Sequence, residues 1–270
     1  MSELFDITLD FPNGDLEENS TAILAEGTIA GFGSWTLDEE GLLKIEGTGN
    51  MPDWTWHFDN WQKVSNTPWF NIRDKIQSLE LVGNVTRIGS SAFFDCAGLT
   101  SFSIPNSVTE IGSSAFEDCT GLTSVAIPNS VTKMGSKAFL GCTGLTSVAI
   151  PNNVTEIGSS AFEDCTGLTS VSIPNSVTEI GSFAFVCCTS LTQITIPSSV
   201  TVIGYHAFLS CTSLTQITIP NSVRKFESIL GLNEAFFNCT NLQRVYMPRR
   251  FNRMFFEFFY GIPKSIVTFY

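Results

Sequence analysis

The chain contains little of what most enzymes need. Its 270 residues include two histidines, His57 and His206, which lie far apart in the sequence. Nucleophilic catalysis requires a base beside a serine or cysteine. The chain also lacks a glycine-rich phosphate loop with lysine and an HExxH zinc motif. We therefore expect a non-enzymatic protein with no catalytic residue, no cofactor and no metal ion.

Basic residues are also scarce. The chain has 14 Lys and Arg residues against 26 Asp and Glu residues, a net charge of −12. Nucleic-acid binding needs clustered Lys and Arg, so it is not expected. The charge is uneven, at −11 over residues 1–80, −5 over 81–223 and +4 over 224–270. This asymmetry indicates either an ordinary solvated surface or weak head-to-tail self-association, which salt should weaken.

Long apolar runs are missing. No stretch approaches the roughly 18 apolar residues of a membrane-spanning helix. The first 20 residues hold six acidic and no basic side chains, whereas a signal peptide begins with positive charge. Two interpretations stay open: the protein remains in the cytoplasm, or the chain is a mature product with a new Met1.

Cysteine is too sparse for a disulfide scaffold, with eight residues in the chain. Seven recur at one position of a repeat: Cys96, Cys119, Cys142, Cys165, Cys188, Cys211 and Cys239. A thiol at a fixed place in every repeat is expected to behave as a small buried apolar group. Metal ligands must instead converge on one point. Cys187 falls outside this set, and we expect it near the surface.

What the chain has in abundance is a 23-residue repeat, which we call a coil. Seven valines open successive copies at equal intervals: Val85, Val108, Val131, Val154, Val177, Val200 and Val223. A period of this size indicates stacked coils, each of which covers the apolar face of the next. Such stacks usually present surface to a partner rather than enclose a catalytic pocket.

One coil shows the expected local structure. Residues Leu122–Ile127 have the spacing of a short strand, and Pro128 ends it. Gly112 marks a place where a side chain would be unwelcome, and Ser113 is predicted to cap one helical turn through Cys119. The pattern predicts an α/β repeat solenoid, with a parallel sheet on one face and short helical turns on the other.

The repeat is similar to a known family. The order LTSFSIPNSVTEIGSSAFEDC has Leu, Ile-Pro, Ile-Gly, Ala-Phe and Cys markers at fixed offsets. It closely resembles the BspA-like, or Treponema-type, leucine-rich repeats of bacterial surface proteins, over residue 76 to about residue 248. The resemblance implies a leucine-rich repeat fold. It also implies an extracellular or cell-surface location and a role in adhesion to host proteins or other cells.

The segment before the coils reads differently. Trp35 and Leu37 alternate on one side of a DEEG turn, and Leu43 and Ile45 alternate on the other, which predicts a β-hairpin. The stretch PWFNIRDKIQSLELV then follows the repeat register, so we expect it to form a degenerate first coil. The hairpin resembles the N-terminal module often found before these repeats.

Three tryptophans crowd around His57 and Asp59: Trp54, Trp56 and Trp61. Flat rings with polar neighbours can form a platform on which a glycan stacks. Alternatively, the rings seal the open end of the first coil.

The C-terminal end departs from the repeat. The spacing from Val223 to Ala235 is 12 residues rather than 7, so a loop is inserted around Glu227–Gly231. After Pro248 the chain is rich in arginine and phenylalanine, including Phe255, Phe256, Phe258 and Phe259. This tail either caps the last coil or forms a basic aromatic patch for a partner.

Together these features predict four segments. They are an acidic N-terminal segment (1–26), a Trp-rich β-hairpin cap module (27–68), a leucine-rich repeat solenoid (69–248) and a C-terminal aromatic and basic cap (249–270).

A binding surface is expected where the coils differ from one another. Most exposed strand positions are Ser or Thr, which rarely dominate binding energy, and the last strand adds Arg244 and Tyr246. At the helical edge, small residues of earlier coils give way to a predicted apolar patch: Phe183, Val186, Cys187, Tyr205, His206 and Leu209. The alternative is ordinary drift with partial burial.

The sequence thus predicts a recognition module of a bacterial cell-surface or secreted protein that binds a host or bacterial surface protein. One alternative is a structural spacer or self-assembling repeat. Another is glycan binding through the tryptophans.

Overall fold

The computed structural model describes residues 21–228, 234–252 and 262–270. Regular structure in these ranges is almost entirely β-strand, and the helices are three short 3₁₀ segments: Phe70–Lys75, Arg249–Phe251 and Lys264–Ile266. Some predicted features lie outside the described residues. These are the first 20 residues of the acidic segment, most of the insertion around Glu227–Gly231, and the phenylalanines Phe255, Phe256, Phe258 and Phe259.

An antiparallel ribbon begins the described chain. It consists of β1 (Ile23–Ile29), β2 (Gly33–Asp38) and β3 (Leu42–Gly47), with strands numbered along the chain. The predicted hairpin is β2 and β3, in which Trp35 pairs with Ile45. The β1 strand was not predicted, because Gly27 interrupts its apolar alternation. It spans the expected boundary between residues 26 and 27.

A front row of parallel strands continues from this ribbon, beginning with the pairing of β3 and the next strand. Partners in the row are 23 residues apart in most pairs, as in Phe102 and Val125. The strands are β7 (Ser78–Val82), β9 (Ser101–Ser103), β11 (Ser124–Ala126), β13 (Ser147–Ala149), β15 (Ser170–Ser172), β18 (Gln216–Thr218), β20 (Arg244–Met247) and β21 (Val267–Phe269). Since β21 pairs in parallel with β20, the row continues beyond the expected array end at residue 248.

A second row consists of shorter strands, and in most coils the strand contains the isoleucine of the Ile-Gly pair. The strands are β4 (Gly49–Asn50), β8 (Val85–Ile88), β10 (Glu110–Ile111), β12 (Lys133–Met134), β14 (Glu156–Ile157), β16 (Glu179–Ile180), β17 (Val202–Ile203) and β19 (Lys225–Phe226). Ile111 pairs with Ile88 on one side and with Met134 on the other. These inner side chains are buried, and the residues that precede them (Arg87, Glu110 and Lys133) are more exposed.

The core is organised around a column of stacked aromatic rings. Neighbouring rings lie 5.2–5.8 Å apart between centroids. The column comprises Trp69, Phe93, Phe116, Phe139, Phe162, Phe185, Phe208 and Phe236. Truncating one ring to alanine would remove contacts to two coils at once and would cost about 3–5 kcal/mol.

The repeated cysteines do more than fill space. Cys119 Sγ lies 3.1 Å from the carbonyl oxygen of Phe93 in the preceding coil, and the next five repeated cysteines make the same contact at 3.1–3.2 Å. The Phe93 carbonyl also accepts the amide of Cys96. Each thiol therefore adds a weak second hydrogen bond between coils, which an apolar side chain of the same size would not supply.

The predicted helical turns are wrong. Between Ser113 and Cys119 the chain forms turns, with φ of +55° at Ser114 and +61° at Asp118. An α-helix does not tolerate left-handed residues. The amide of Asp118 donates to Leu140 of the next coil at 2.7 Å, whereas the amide of Glu117 donates to Ser114 within the turn at 3.2 Å. The hydrogen bonds therefore alternate between the next coil and local turns, and they do not run along a helix. We call these segments the turn edge, and the described fold is mostly parallel strands and turns rather than α/β.

The expectation for Gly112 is confirmed. A Cβ atom there would lie 2.5 Å from the backbone nitrogen of Ser90 in the preceding coil. Glycine occupies this position in six successive coils: Gly89, Gly112, Gly135, Gly158, Gly181 and Gly204. Close backbone approach at this position lets the turn edges stack directly on one another.

Candidate functional site

The front row presents a uniform polar surface. Thr123 Oγ1 donates to the carbonyl oxygen of Thr100 at 3.2 Å, and Thr146 and Thr169 repeat this bond one coil further along each time. These threonine hydroxyls link neighbouring coils, and exposed serines such as Ser124 and Ser147 supply the rest of the polar surface. Arg244 is exposed and Tyr246 is half-buried on β20, so both belong to the front row and not to the turn edge.

Three predicted residues do meet on the turn edge. The Tyr205 and His206 rings stack with centroids 3.6 Å apart. Phe183, one coil earlier, packs edge-on against both, at 5.7 Å from Tyr205 and 5.5 Å from His206. All three side chains are half-buried. We call this group the aromatic cluster.

Glu234 holds the aromatic cluster in place, and sequence reasoning missed it. His206 Nε2 lies 2.5 Å from Glu234 Oε2, and the Tyr205 hydroxyl donates to the same oxygen at 3.4 Å. Glu234 follows the insertion, so no repeat position marks it as a neighbour of Tyr205. The contact shows that Glu234 lies at the same edge as Tyr205 and His206.

The other predicted members of the patch contribute less surface. Val186 is 6% exposed and therefore belongs to the core. Leu209 and Cys187 are half-buried beside the cluster. Burial, followed by the charge of Asp164, raises the pKa of the Cys187 thiol. The surface that remains available is the aromatic cluster with Leu209 at its side.

A cavity of about 330 Å³ opens beside the aromatic cluster. Glu227 stands where the two preceding coils have Gly181 and Gly204. A Cβ at Gly204 would lie 2.2 Å from the Ser182 backbone nitrogen, so a larger residue at this repeat position cannot keep the close stacking. The departure from glycine is visible in the sequence, but its consequence, an opening between coils, is not.

The three tryptophans near His57 separate in the structure. Trp54 is 7% exposed and packs edge-on against Trp69, with centroids 5.4 Å apart. Trp56 lies parallel to Phe94 at 4.2 Å. Trp61 is 97% exposed. The structure therefore does not bring the three rings together on one surface.

Trp56 and Trp61 belong to a hairpin formed by β5 (Trp56–Asp59) and β6 (Gln62–Ser65). Lys63 anchors it to the coils, because its Nζ lies 2.8 Å from Asp95 and 2.7 Å from Asp118. Burial lowers the pKa of Lys63 and hydrogen bonds to the two carboxylates raise it, with a net rise. Sequence reasoning did not anticipate this anchor, which links residues 32 and 55 positions apart.

In the ranges that the structure describes, no group of three or more His, Cys, Asp or Glu side chains is placed to hold a metal ion. No helix in those ranges is long and apolar enough to cross a membrane.

Comparison with known families identifies the repeat. The BspA type leucine rich repeat region, in six copies, matches residues 66–168 and 155–269. These ranges cover more than half of the chain, so the chain belongs to the BspA-type leucine-rich repeat family. The match extends through the segment expected to be a C-terminal cap, in agreement with the parallel pairing of β21.

A solved structure of a leucine rich protein shows the same fold. A leucine rich cell surface protein from Faecalibacterium prausnitzii is 27% identical, with a TM-score of 0.56 over 85% of this chain and 71% of that one. A leucine-rich repeat protein from Eubacterium ventriosum is 23% identical, with a TM-score of 0.49 over 83% and 72% of the two chains. The leucine rich repeat protein of T. pallidum is 21% identical, with a TM-score of 0.44 over 88% and 92%. No curated protein matches the chain.

Proposed function

We propose that the chain is a non-enzymatic recognition module of a bacterial cell-surface or secreted protein, and that it binds a host or bacterial surface protein. The aromatic cluster carries this proposal. Phe183 and Tyr205 occupy repeat positions that hold mostly serine in the other coils, yet their rings stay half-exposed. Membership of the BspA-type family supports an interaction role. Similarity to the F. prausnitzii protein, a leucine rich cell surface protein, supports the location.

The proposed contact surface is centred on Phe183, Tyr205 and His206, with Leu209 at its side and Val186 packed beneath. Tyrosine is enriched among residues that dominate binding energy, and a rigid ring loses little entropy on binding. Arg244 and Tyr246 would form a separate contact on the front row. We retain the four predicted segments as the functional division, with the coils as the recognition part.

Self-assembly is the second candidate, and the strand order favours it. Within the described residues, β1 is the terminal strand of the eight-stranded sheet that forms most of the front row, and β21 is the terminal strand of the three-stranded sheet that follows. Edge strands are templates for pairing with another chain. With acidic residues toward the start and basic residues toward the end, such pairing would be head-to-tail and weak.

Glycan stacking through the tryptophans would rely on Trp61 and on the face of Trp56 that does not lie against Phe94. Trp54 is buried and one face of Trp56 is covered by Phe94. Two ring faces on one small hairpin support weak contacts only, so we rank this alternative last.

A binding measurement separates the first two proposals. The chain would be immobilised and exposed to purified host extracellular-matrix proteins and to purified bacterial surface proteins, at low and at physiological salt. The recognition proposal predicts saturable binding to at least one of them that persists at physiological salt. Binding to none of them, together with concentration-dependent chains in sedimentation, would favour self-assembly.

A further inference from the structure

The cavity beside the aromatic cluster has a definite structural origin. In six coils the glycine before the turn edge keeps neighbouring backbones in contact. Glu227 takes that position in the next coil, and its carboxylate reaches across Gly204 to Ser182. Glu227 Oε2 accepts the Ser182 hydroxyl at 3.1 Å, and Ser182 Oγ in turn accepts the amide of Tyr205 at 3.2 Å. The space that opens is therefore held by hydrogen bonds that span two coils.

The walls of the cavity are of two kinds. Phe183, Tyr205 and Phe226 supply aromatic surface. Ser182, Lys225 and Glu227 supply polar groups, and Lys225 Nζ lies 3.1 Å from Glu227 Oε1. Two of the rings, Phe183 and Tyr205, stand almost perpendicular, at 87°. A ligand in the cavity would therefore meet both ring surface and hydrogen-bond donors and acceptors.

The residues that line the cavity limit the chemical class of ligand that it can bind. Among the described residues that line the cavity, Lys225 carries one positive charge and Glu227 one negative charge, so this lining favours neither an anion nor a cation. An apolar ligand would displace water from part of the Lys225–Glu227 pair and offer no hydrogen bond in return, which is unfavourable. A neutral molecule with hydroxyl groups along one edge and C–H groups on its faces would satisfy both kinds of wall. A sugar ring has this form.

We infer that this cavity is a binding site for a neutral saccharide, which stacks against Tyr205 or Phe183 and hydrogen-bonds to Glu227, Lys225 and Ser182. Its volume lies at the lower end of the roughly 300–1,000 Å³ of small-ligand sites, which suits one or two sugar rings. The inference goes beyond the proposed protein contact, because the sugar would occupy the cavity itself and not the exposed surface of the cluster.

The test uses the purified chain and a panel of neutral methyl glycosides of glucose, galactose, mannose and N-acetylglucosamine, with sialic acid as the charged comparison. Binding would be followed by saturation-transfer NMR and by titration. Tyr205→Ser introduces the residue found at this repeat position in five other coils: Ser90, Ser113, Ser136, Ser159 and Ser182. Glu227→Gln keeps the shape of the side chain and removes its charge. Lys137→Ser is the matched control, because it lies on the same edge in a different coil.

We expect saturable binding of at least one neutral glycoside, weaker by at least about tenfold in Tyr205→Ser and in Glu227→Gln and unchanged in Lys137→Ser. Failure of all four neutral glycosides, preference for sialic acid, or binding that survives both cavity variants would overturn the inference. If both variants also abolish binding of a protein partner while no glycoside binds, the cavity is part of the protein contact and the saccharide inference is wrong. Enzymatic removal of glycans from a glycoprotein ligand would distinguish attached from free sugar as the source.

Discussion

Glu156 and Glu179 lie side by side in neighbouring parallel strands, as register partners in β14 and β16. The same repeat position alternates in charge in the preceding coils. Arg87 Nε lies 3.1 Å from Glu110 Oε1, and Lys133 Nζ lies 3.7 Å from the same oxygen. The alternation fails at Glu179. Burial raises the pKa of Glu179, and the charges of Glu156 and Glu227 raise it further.

Substituting Glu179→Lys should therefore raise the stability of the protein at pH 7. A like-charge pair becomes an opposite-charge pair, with a gain of about 0.5–1 kcal/mol, and Glu179→Gln should gain about half as much. At neutral pH the charged Glu179 side chain repels Glu156, and this repulsion disappears as Glu179 is protonated. The repulsion itself contributes to the raised pKa of Glu179. Urea unfolding should thus show the advantage of Glu179→Gln shrinking as the pH falls toward 4.5, the ordinary pKa of glutamate. A Lys variant less stable than the parent at pH 7 would contradict this.

Trp61→Gly should stabilise the β5–β6 hairpin. Asn60 and Trp61 form its turn with φ of +47° and +67°. Asparagine tolerates this region, whereas a bulky residue is strained there. Trp61 is 97% exposed, so little packing is lost. We expect amide hydrogen exchange in β5 and β6 to slow by about threefold, equivalent to roughly 0.6 kcal/mol. Asn60→Gly is the control and should change exchange less; faster exchange in Trp61→Gly would show that its ring has a structural contact.

Two glycine positions should differ in their tolerance of a side chain. A Cβ at Gly112 would lie 2.5 Å from the Ser90 nitrogen, and one at Gly121 would lie 2.4 Å from the Ala97 carbonyl oxygen. Later coils have Ser190 and Ser213 at the Gly121 position, so the chain can adjust there. We expect Gly112→Ala to lose about 3 kcal/mol or more and Gly121→Ala about 1–2 kcal/mol in thermal or urea unfolding. Equal losses of stability in the two variants would mean that the backbone is equally rigid around Gly112 and Gly121.

Thiol labelling should separate Cys187 from the seven repeated cysteines. Cys187 is half-buried, and the others are buried. Burial raises the pKa of Cys165 to about 12 and that of Cys239 to about 12. Native protein treated with iodoacetamide at pH 8 should gain one label by mass spectrometry, and denatured protein should gain eight. Because the pKa of Cys187 is also raised, its labelling rate should keep rising as the pH passes 9. More than one label on the native protein would contradict the burial of the seven repeated cysteines.

The repeated features could be predicted well from the sequence because each of them recurs in successive coils. The glycine before the turn edge and the buried cysteines recur at fixed offsets, so one coil supports the interpretation of the next. The helical turn was mispredicted because SSAFEDC has helix-compatible residue types, while stacking requires left-handed backbone at Ser114 and Asp118. Contacts that occur once in the chain could not be predicted by comparing coils. Glu234 reaches His206 across an insertion, and Lys63 meets Asp118 across two coils.

The central claim is that the aromatic cluster is a recognition surface, and one comparison tests it most directly. The double substitution Phe183→Ser and Tyr205→Ser places serine at two positions where serine is common in other coils, so the stack should remain intact. Binding to an identified surface-protein partner would be measured by surface plasmon resonance for the parent, the double variant and the Lys137→Ser control. We predict that the double variant binds at least about 30-fold more weakly, equivalent to roughly 2 kcal/mol, while the control is unchanged. Unchanged affinity in a folded double variant would contradict the account.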